Sequence, residues 1–133
     1  MDPAELSKVG LFSELSEEDL EAISTYADEV TVSEGKHLVD QGGYAYDLFA
    51  IVEGTAQVIM GGEVVAELGP GDFFGEAGVL EKQQRNATVV AKTRMRLVTL
   101  TGWDLRRMRR QLGPVMDKLE RAIEQRRQPV TES

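Results

Sequence analysis

Residues 69–91 read GPGDFFGEAGVLEKQQRNATVVA, and this stretch interrupts a run of short segments rich in Val, Ile and Thr. Residues 74–80, FGEAGVL, have the composition of a short helical turn that begins beside a glycine. The first N–H groups of a helix have no partner within the helix, so that end binds anions readily. The stretch therefore predicts a short anion-binding helix inserted between β-strands.

Two opposite charges, Glu76 and Arg85, lie in this stretch. A guanidinium can donate two charge-assisted hydrogen bonds to a phosphate, whereas a carboxylate repels it and needs a neutral donor such as a ribose hydroxyl. Taken singly, Glu76 is explained as a helix-start acid, and Arg85 as a surface arginine paired with Glu81 or Glu76. Taken together, the two indicate a sugar phosphate.

The region around this stretch, residues 31–100, has the pattern of many short strands separated by glycine turns. Gly61-Gly62 separates TAQVIM from EVVAEL and predicts a hairpin. Because no ten-residue helix interrupts the strands, the fold class is mainly β with flanking helices. We expect a double-stranded β-helix, that is, a jelly-roll-like β-roll.

Helical periodicity occupies both ends of the chain. Residues 1–30 predict N-terminal helices with Ser16 as an N-cap, and residues 101–128 predict two helices, the first capped by Thr101. Gly113-Pro114 separates these last two helices as a hinge. We therefore expect one domain over residues 1–128 and a disordered tail over 129–133.

The composition argues against catalysis. The 133 residues contain no cysteine and the single histidine His37, so disulfides, thiol nucleophiles and histidine-rich metal sites are disfavoured. A metal-dependent enzyme on a β-roll would need several clustered histidines, and no phosphate-binding GK[S/T] loop is present. We expect no enzymatic activity, no metal and no cofactor.

The charge is negative overall and unevenly distributed. The net charge is −8, residues 1–34 hold ten acids against Lys8, and the segment RRMRR occupies 106–110. An acidic chain repels nucleic acid backbones, so no direct nucleic acid partner is expected. No apolar run is long enough for a membrane span and no secretion signal is evident, so a cytoplasmic location is expected.

The segments FGEAGVL, EKQQ and RNATVVA resemble the phosphate-binding cassette of the cyclic-nucleotide-binding domain family, as in kinase regulatory subunits, gated channels and the bacterial catabolite activator. The resemblance continues through LFSELSEEDL, YDLFAIVEGTAQV, GPGDFFGE and the closing helices. It implies a cassette over residues 74–91, in which Glu76 accepts the ribose 2′-hydroxyl and Arg85 binds the cyclic phosphate.

The resemblance also implies further ligand contacts. Backbone N–H groups would complete the phosphate cradle at Gly75, Gly78, Asn86 and Ala87. The cassette begins at Phe74, and Val65 and Leu68 would form an apolar wall against the base, although both are equally well explained as core residues. Lid candidates on the last helix are Leu119, Ile123 and Arg126.

Departures from the family pattern concern the base. Asn86 follows the arginine where cGMP-preferring members tend to carry Thr and many cAMP-binding members carry Ala or Ser, and an amide can bond either purine. Thr88 could contact a guanine, but β-branched residues in strands usually pack. The ligand is expected to be cAMP in preference to cGMP. In the segment GGYAYD, Tyr44 and Tyr46 replace the smaller residues usual in the family.

The sequence does not identify which process the ligand would regulate. Ligand binding is expected to swing the last helix about Gly113-Pro114 onto the base. The expected partner that responds is an effector domain or subunit, which the sequence does not identify. A homodimer through the C-terminal helix is a further expectation. The alternatives are a degenerate domain that binds protein instead of nucleotide, and a fragment of a cAMP-controlled transcription factor.

Overall fold

The computed structural model describes residues 2–13, 15–40, 47–75 and 87–126. Two four-stranded antiparallel sheets form the centre of the fold. The first sheet has the order β1 (Asp28–Val32), β8 (Met95–Leu100), β3 (Leu48–Glu53), β6 (Phe73–Phe74). The second has the order β2 (His37–Val39), β7 (Thr88–Ala91), β4 (Ala56–Met60), β5 (Glu63–Leu68). The predicted β-roll with flanking helices is confirmed.

The described helices lie before and after the strands. They are α1 (Pro3–Leu6), a 3₁₀ turn (Gly10–Phe12), α2 (Glu17–Ser24), α3 (Gly102–Gln111) and α4 (Gly113–Arg126). Thr101 caps α3 in a reciprocal capping box with Asp104, as the sequence predicts. α3 and α4 are separated at Leu112, whose φ of −133° and ψ of 49° are not helical. The predicted break between the last two helices is therefore confirmed, but it lies one residue before Gly113-Pro114, which belong to α4.

The first strand begins earlier than expected. Residues up to 30 were predicted to belong to the N-terminal helices, but β1 starts at Asp28. Asp28, Glu29 and Val30 pair antiparallel with Thr99, Val98 and Leu97 of β8. Pairing with a strand distant in sequence overrides the local preference of these acidic residues.

The buried side chains divide into two clusters on opposite faces of the first sheet. The inter-sheet cluster lies between the two sheets and includes Ile51, Phe74 and Leu97. The helical-layer cluster lies between the first sheet and the helices and includes Leu48, Ala50, Phe73, Val98, Leu100, Met108, Leu119 and Ile123. Successive residues of β3, β6 and β8 alternate between the clusters because side chains in a strand point to opposite faces.

Two turns depend on glycine. Gly61 and Gly62 join β4 to β5 with φ values of 59° and 83°, which confirms the predicted hairpin. Gly54, between β3 and β4, has φ 94°, and a Cβ at this position would overlap the carbonyl oxygen of Arg94. Only glycine allows the two turns to approach this closely.

Candidate ligand-binding site

The predicted cassette connects the two sheets. It leaves β6, at the edge of the first sheet, and returns as β7, an interior strand of the second sheet. Glu76, Gly78, Arg85 and Asn86 lie outside the described residues, as do the predicted helical turn, Tyr44 and Tyr46. The structure therefore places the two ends of the cassette and the core against which they lie.

The entry to the cassette is held against β3. The Ile51 N–H donates to the carbonyl of Asp72 at 2.9 Å, and the Gly71 N–H donates to the carbonyl of Ile51 at 3.1 Å. Phe74 pairs with Phe49, and their rings stack with centroids 5.0 Å apart and an interplanar angle of 16°. This strand and its stacked ring give the cassette a rigid starting point.

At Gly75 the chain leaves the sheet. Its φ is 89°, a left-handed conformation that glycine adopts without the steric penalty of a Cβ. This conformation of Gly75 sets the direction in which the backbone enters the cassette, directly before Glu76. This is the position at which the resemblance implies a backbone N–H of the phosphate cradle.

The exit from the cassette is buried. Ala87 is almost inaccessible and precedes β7, in which Val89 lies opposite Val39 of β2 and Val58 of β4. Ala87 shares the inter-sheet cluster with Leu68 and Phe74. The structure thus brings three of the predicted site residues, Leu68, Phe74 and Ala87, into the inter-sheet cluster.

Val65 lies apart from those three residues. On β5, Ala66 is opposite Val58 and Val64 is opposite Ile59, which leaves Val65 as the extra residue of a β-bulge. Val65 is 45% exposed, whereas Leu68 is buried. The two residues are three positions apart, so alternation places them on opposite faces of β5, and their role as a wall against the base stays a prediction.

The edge strand β5 is tied to the strand that leaves the cassette. The Glu67 carboxylate accepts a hydrogen bond at 2.7 Å from the ammonium of Lys92, which follows β7. This hydrogen bond, with the Coulomb attraction of the same ammonium, lowers the pKa of Glu67. The pair spans β4 and links β5 to the end of β7.

The lid candidates lie on the far side of the first sheet. Leu119 and Ile123 are fully buried in the helical-layer cluster, whereas Leu68, Phe74 and Ala87 belong to the inter-sheet cluster. Arg126 is the last residue of α4, and its side chain is not described. In this conformation the structure does not bring Leu119 or Ile123 to the cassette, and their role as a lid stays a prediction.

Polar contacts that the sequence motifs did not reveal fasten α3 and α4 to the rest of the helical layer. Lys118 donates to Asp19 at 2.8 Å, and this hydrogen bond is the main cause that lowers the pKa of the Asp19 carboxyl. Arg109 pairs with Glu120, and the Tyr26 hydroxyl bonds the Gln111 side chain. Of these contacts, only the pair of Lys118 and Asp19 joins the acidic residues 1–34 to the basic region that contains RRMRR.

Other kinds of site are absent from the part of the chain that the structure describes. There, no three potential metal ligands among His, Asp and Glu come together. None of the described helices is both long enough and apolar enough to span a membrane.

Comparisons with known proteins agree with this architecture. The family model of the cyclic nucleotide-binding domain matches residues 29–111. A protein of Rhodopseudomonas palustris, provisionally named a potassium channel protein, is 32% identical over 124 residues, which are 91% of this chain and 30% of the relative. The chain thus spans under a third of the length of that curated relative.

Solved structures share the fold. The catabolite activator protein of Thermus thermophilus is 28% identical with a TM-score of 0.73, over 88% of this chain and 57% of that one. The regulatory subunit of a cAMP-independent protein kinase A from Trypanosoma brucei is 27% identical with a TM-score of 0.77, over 97% and 47%. The two-sheet roll, the cassette between β6 and β7 and the matching family model show that this chain belongs to the cyclic nucleotide-binding domain family, a family of regulatory and not catalytic domains.

Proposed function

We propose that this chain binds cAMP in preference to cGMP through residues 74–91 and that binding repositions α4. The observation that carries the proposal is the cassette sequence, with Glu76 and Arg85, set between a left-handed Gly75 and a buried Ala87. A cation and an acid nine positions apart in one cassette sequence are both satisfied by a ribose phosphate, which offers an anionic oxygen and a hydroxyl donor.

Each part of the ligand is assigned to a group of the chain. Arg85 binds the cyclic phosphate, and Glu76 accepts from the ribose 2′-hydroxyl. Backbone N–H groups complete the phosphate cradle, at Gly75, Gly78, Asn86 and Ala87. Each charge-assisted hydrogen bond shielded from water contributes roughly 1.5–3 kcal/mol.

The base is the least constrained part of the ligand. Leu68 and Phe74 supply apolar surface in the inter-sheet cluster. The Asn86 amide can bond either adenine or guanine. The preference for cAMP rests on the absence of a threonine directly after Arg85, where cGMP-preferring relatives tend to carry one.

The regulatory step is a movement of α4. A ligand acts only by favouring one conformation, and the non-helical Leu112 before Gly113 provides a joint between α3 and α4. The pair of Lys118 and Asp19 is half-exposed on the lysine side, and such pairs contribute only about 0–1 kcal/mol, so binding energy can exceed it. The effector that responds is an attached or associated domain.

Calorimetric titration with cAMP and cGMP tests the binding proposal. Arg85→Ala removes two charge-assisted hydrogen bonds, about 3 kcal/mol or more, and should weaken binding by at least about 100-fold. Arg94→Ala, at an exposed arginine between β7 and β8, is the matched control and should bind normally. Heat from cAMP that persists unchanged in Arg85→Ala would overturn the assignment.

Two further outcomes separate the parts of the proposal. Amide exchange of residues 114–126 should slow on addition of cAMP, and unchanged exchange would refute the movement of α4 while leaving binding intact. Absence of heat with both nucleotides would favour the degenerate protein-binding domain. That second candidate has one supporting observation, the likeness to a regulatory subunit described as cAMP-independent.

A further inference from the structure

The exposed side of α3 carries a continuous stripe of basic and aromatic residues. Trp103, Arg106, Arg107 and Arg110, here called the basic stripe, are spaced so that they share one helix face, and all four are exposed. Trp103 is 73% exposed, and the Arg106 guanidinium lies 4.6 Å from the centre of its ring. Trp and Arg are the side chains most enriched where protein interfaces bind tightly.

The basic stripe has few partners of its own. Arg107 lies 5.3 Å from the ring centre of Tyr26, and the neighbouring Arg109, outside the stripe, pairs with Glu120. Within the described residues, Arg106 and Arg110 form no ion pair with a carboxylate. A large exposed indole flanked by two unpaired cations, on a chain of net charge −8, indicates a surface that a carboxylate-rich partner would cover.

A matching acidic surface lies on the same chain. Glu17, Glu18 and Glu21, here called the acidic stripe, are exposed on α2, while the buried Asp19 turns inward to Lys118. No described cation pairs with these three glutamates. Their position in the first turns of α2 leaves the carboxylates available to a second molecule.

The two stripes lie in one layer of the molecule. Tyr26, two residues beyond the end of α2, contacts both Arg107 and Gln111 of α3. A twofold axis can bring two surfaces together reciprocally only if both lie on the same side of the protomer. We propose that two copies of this chain associate about such an axis, with the basic stripe of each on the acidic stripe of the other.

This interface differs from the homodimer through the C-terminal helix that the sequence predicted. The apolar side chains of α4 are used inside the protomer, where Met116, Leu119 and Ile123 are fully buried. The exposed positions of α4 within the described residues are mainly charged or polar, including Asp117, Lys118, Arg121, Glu124 and Gln125. The basic stripe, in contrast, offers the large apolar surface of Trp103.

Analytical ultracentrifugation of the wild-type chain tests the association. The weight-average mass should rise from 14.7 kDa toward twice that value as concentration increases. Trp103 is the only tryptophan, so its emission should shift to shorter wavelength over the same concentration range. A wild-type chain that stays monomeric at the highest soluble concentration overturns the proposal, even if an acidic peptide or DNA shifts the emission.

Charge exchange tests the pairing itself. Arg106→Glu with Arg110→Glu gives one variant, Glu17→Lys with Glu21→Lys gives a second, and each alone should remain monomeric. An equimolar mixture should form a heterodimer, because each stripe then meets the opposite charge in both contacts. A mixture that stays monomeric while both variants retain the wild-type circular dichroism spectrum overturns the proposal.

A matched control removes the effect of net charge. Lys36→Glu with Arg94→Glu changes the charge by the same amount as the first variant, at exposed turns between strands. This control should dimerise like the wild type. Loss of dimer in the control as well would assign the association to net charge and would overturn the specific pairing.

Discussion

The inter-sheet cluster and the helical-layer cluster share the first sheet but are held together differently. The inter-sheet cluster is enclosed by backbone ladders on both sides, and it includes Phe74 at the start of the cassette and Ala87 directly before β7. The helical-layer cluster is enclosed by short helices whose outer contacts are side-chain pairs, including Lys118 with Asp19. Regions held by side-chain pairs at the surface open more easily than regions held by buried ladders.

Under the proposed function, this difference gives the two faces of one sheet separate roles. Under the proposed function, the face between the sheets is the fixed frame for ligand, because β6 pairs with β3 before the cassette and β7 pairs with β2 and β4 at its end. The helical face contains α4, which joins the rest of the chain through the single non-helical Leu112. If ligand binds as proposed, we expect α4 to move while the strands keep their pairing.

The largest expected effect comes from emptying each cluster in turn. Leu97→Ala and Leu119→Ala remove fully buried leucines from the inter-sheet and helical-layer clusters, and each should cost about 2–5 kcal/mol of unfolding free energy. Native-state amide exchange should rise throughout the strands for Leu97→Ala. For Leu119→Ala it should rise first in α4 and α2.

Arg121→Ala, on the exposed side of α4, is the control and should change stability by less than about 0.5 kcal/mol. If Leu119→Ala released the strands as readily as the helices, the two clusters would form a single unit of unfolding. The helical layer would then not open independently of the strands.

An intermediate effect is expected at the turn that closes one end of the roll. Gly54→Ala must hold φ near 94° and bring its Cβ onto the Arg94 carbonyl and within 2.8 Å of the Met95 side chain, which belongs to the inter-sheet cluster. Overpacking of this kind costs roughly 1–3 kcal/mol, measured by urea unfolding. Gly62→Ala has a similar φ of 83° with nothing within 4 Å, so it isolates the backbone strain.

The difference between the two glycine variants measures the close approach alone. Gly54→Ala should be the more destabilising by about 1 kcal/mol or more. Equal losses for the two would show that the turn can move away from Arg94 and that this end of the inter-sheet cluster is not rigid.

The smallest effect concerns the ion pair that fastens α4. The hydrogen bond from Lys118 lowers the pKa of Asp19, so the carboxylate stabilises the fold at pH above its ordinary pKa of about 3.9 and loses this contribution as pH falls through the lowered value. Asp19→Asn should cost up to about 1 kcal/mol at neutral pH and progressively less below about pH 4. Urea unfolding across this range provides the measurement.

Asp117→Asn, at an exposed position of α4, supplies the control for that pH dependence. A difference between wild type and Asp19→Asn that stays constant from neutral to acid pH would contradict an ionic contribution. The contact would then act through packing alone.

Much of the fold could be predicted because its signals are local. The Gly61-Gly62 hairpin, the Thr101 cap and the break before Pro114 each depend on a few neighbouring residues, and the structure confirms all three. The early start of β1 at Asp28 was missed because it depends on pairing with β8, about 70 positions further along the chain. The bulge at Val65 was missed for the same kind of reason, since β4 and β5 define it together.

The candidate site shows the same division between chemistry and placement. The chemistry of Glu76 and Arg85 could be inferred because charge type and spacing are visible in the sequence. The placement of Val65 and Leu68 could not be inferred, since the two look equivalent until the pairing of β5 assigns them to opposite faces. The lid candidates Leu119 and Ile123 likewise match a helical stripe, but the stripe does not specify which cluster it fills.

The position of β8 between β1 and β3 also determines at which point of protein synthesis the fold can be completed. The strand nearest the start of the chain pairs with the last strand, Asp28 opposite Thr99, so the first sheet cannot close until residues 95–100 have left the ribosome. Until then β1 has no partner strand, and the edge of β3 that pairs with β8 is unpaired. Contacts this distant in sequence slow folding, so during synthesis this roll remains open until its eighth strand arrives.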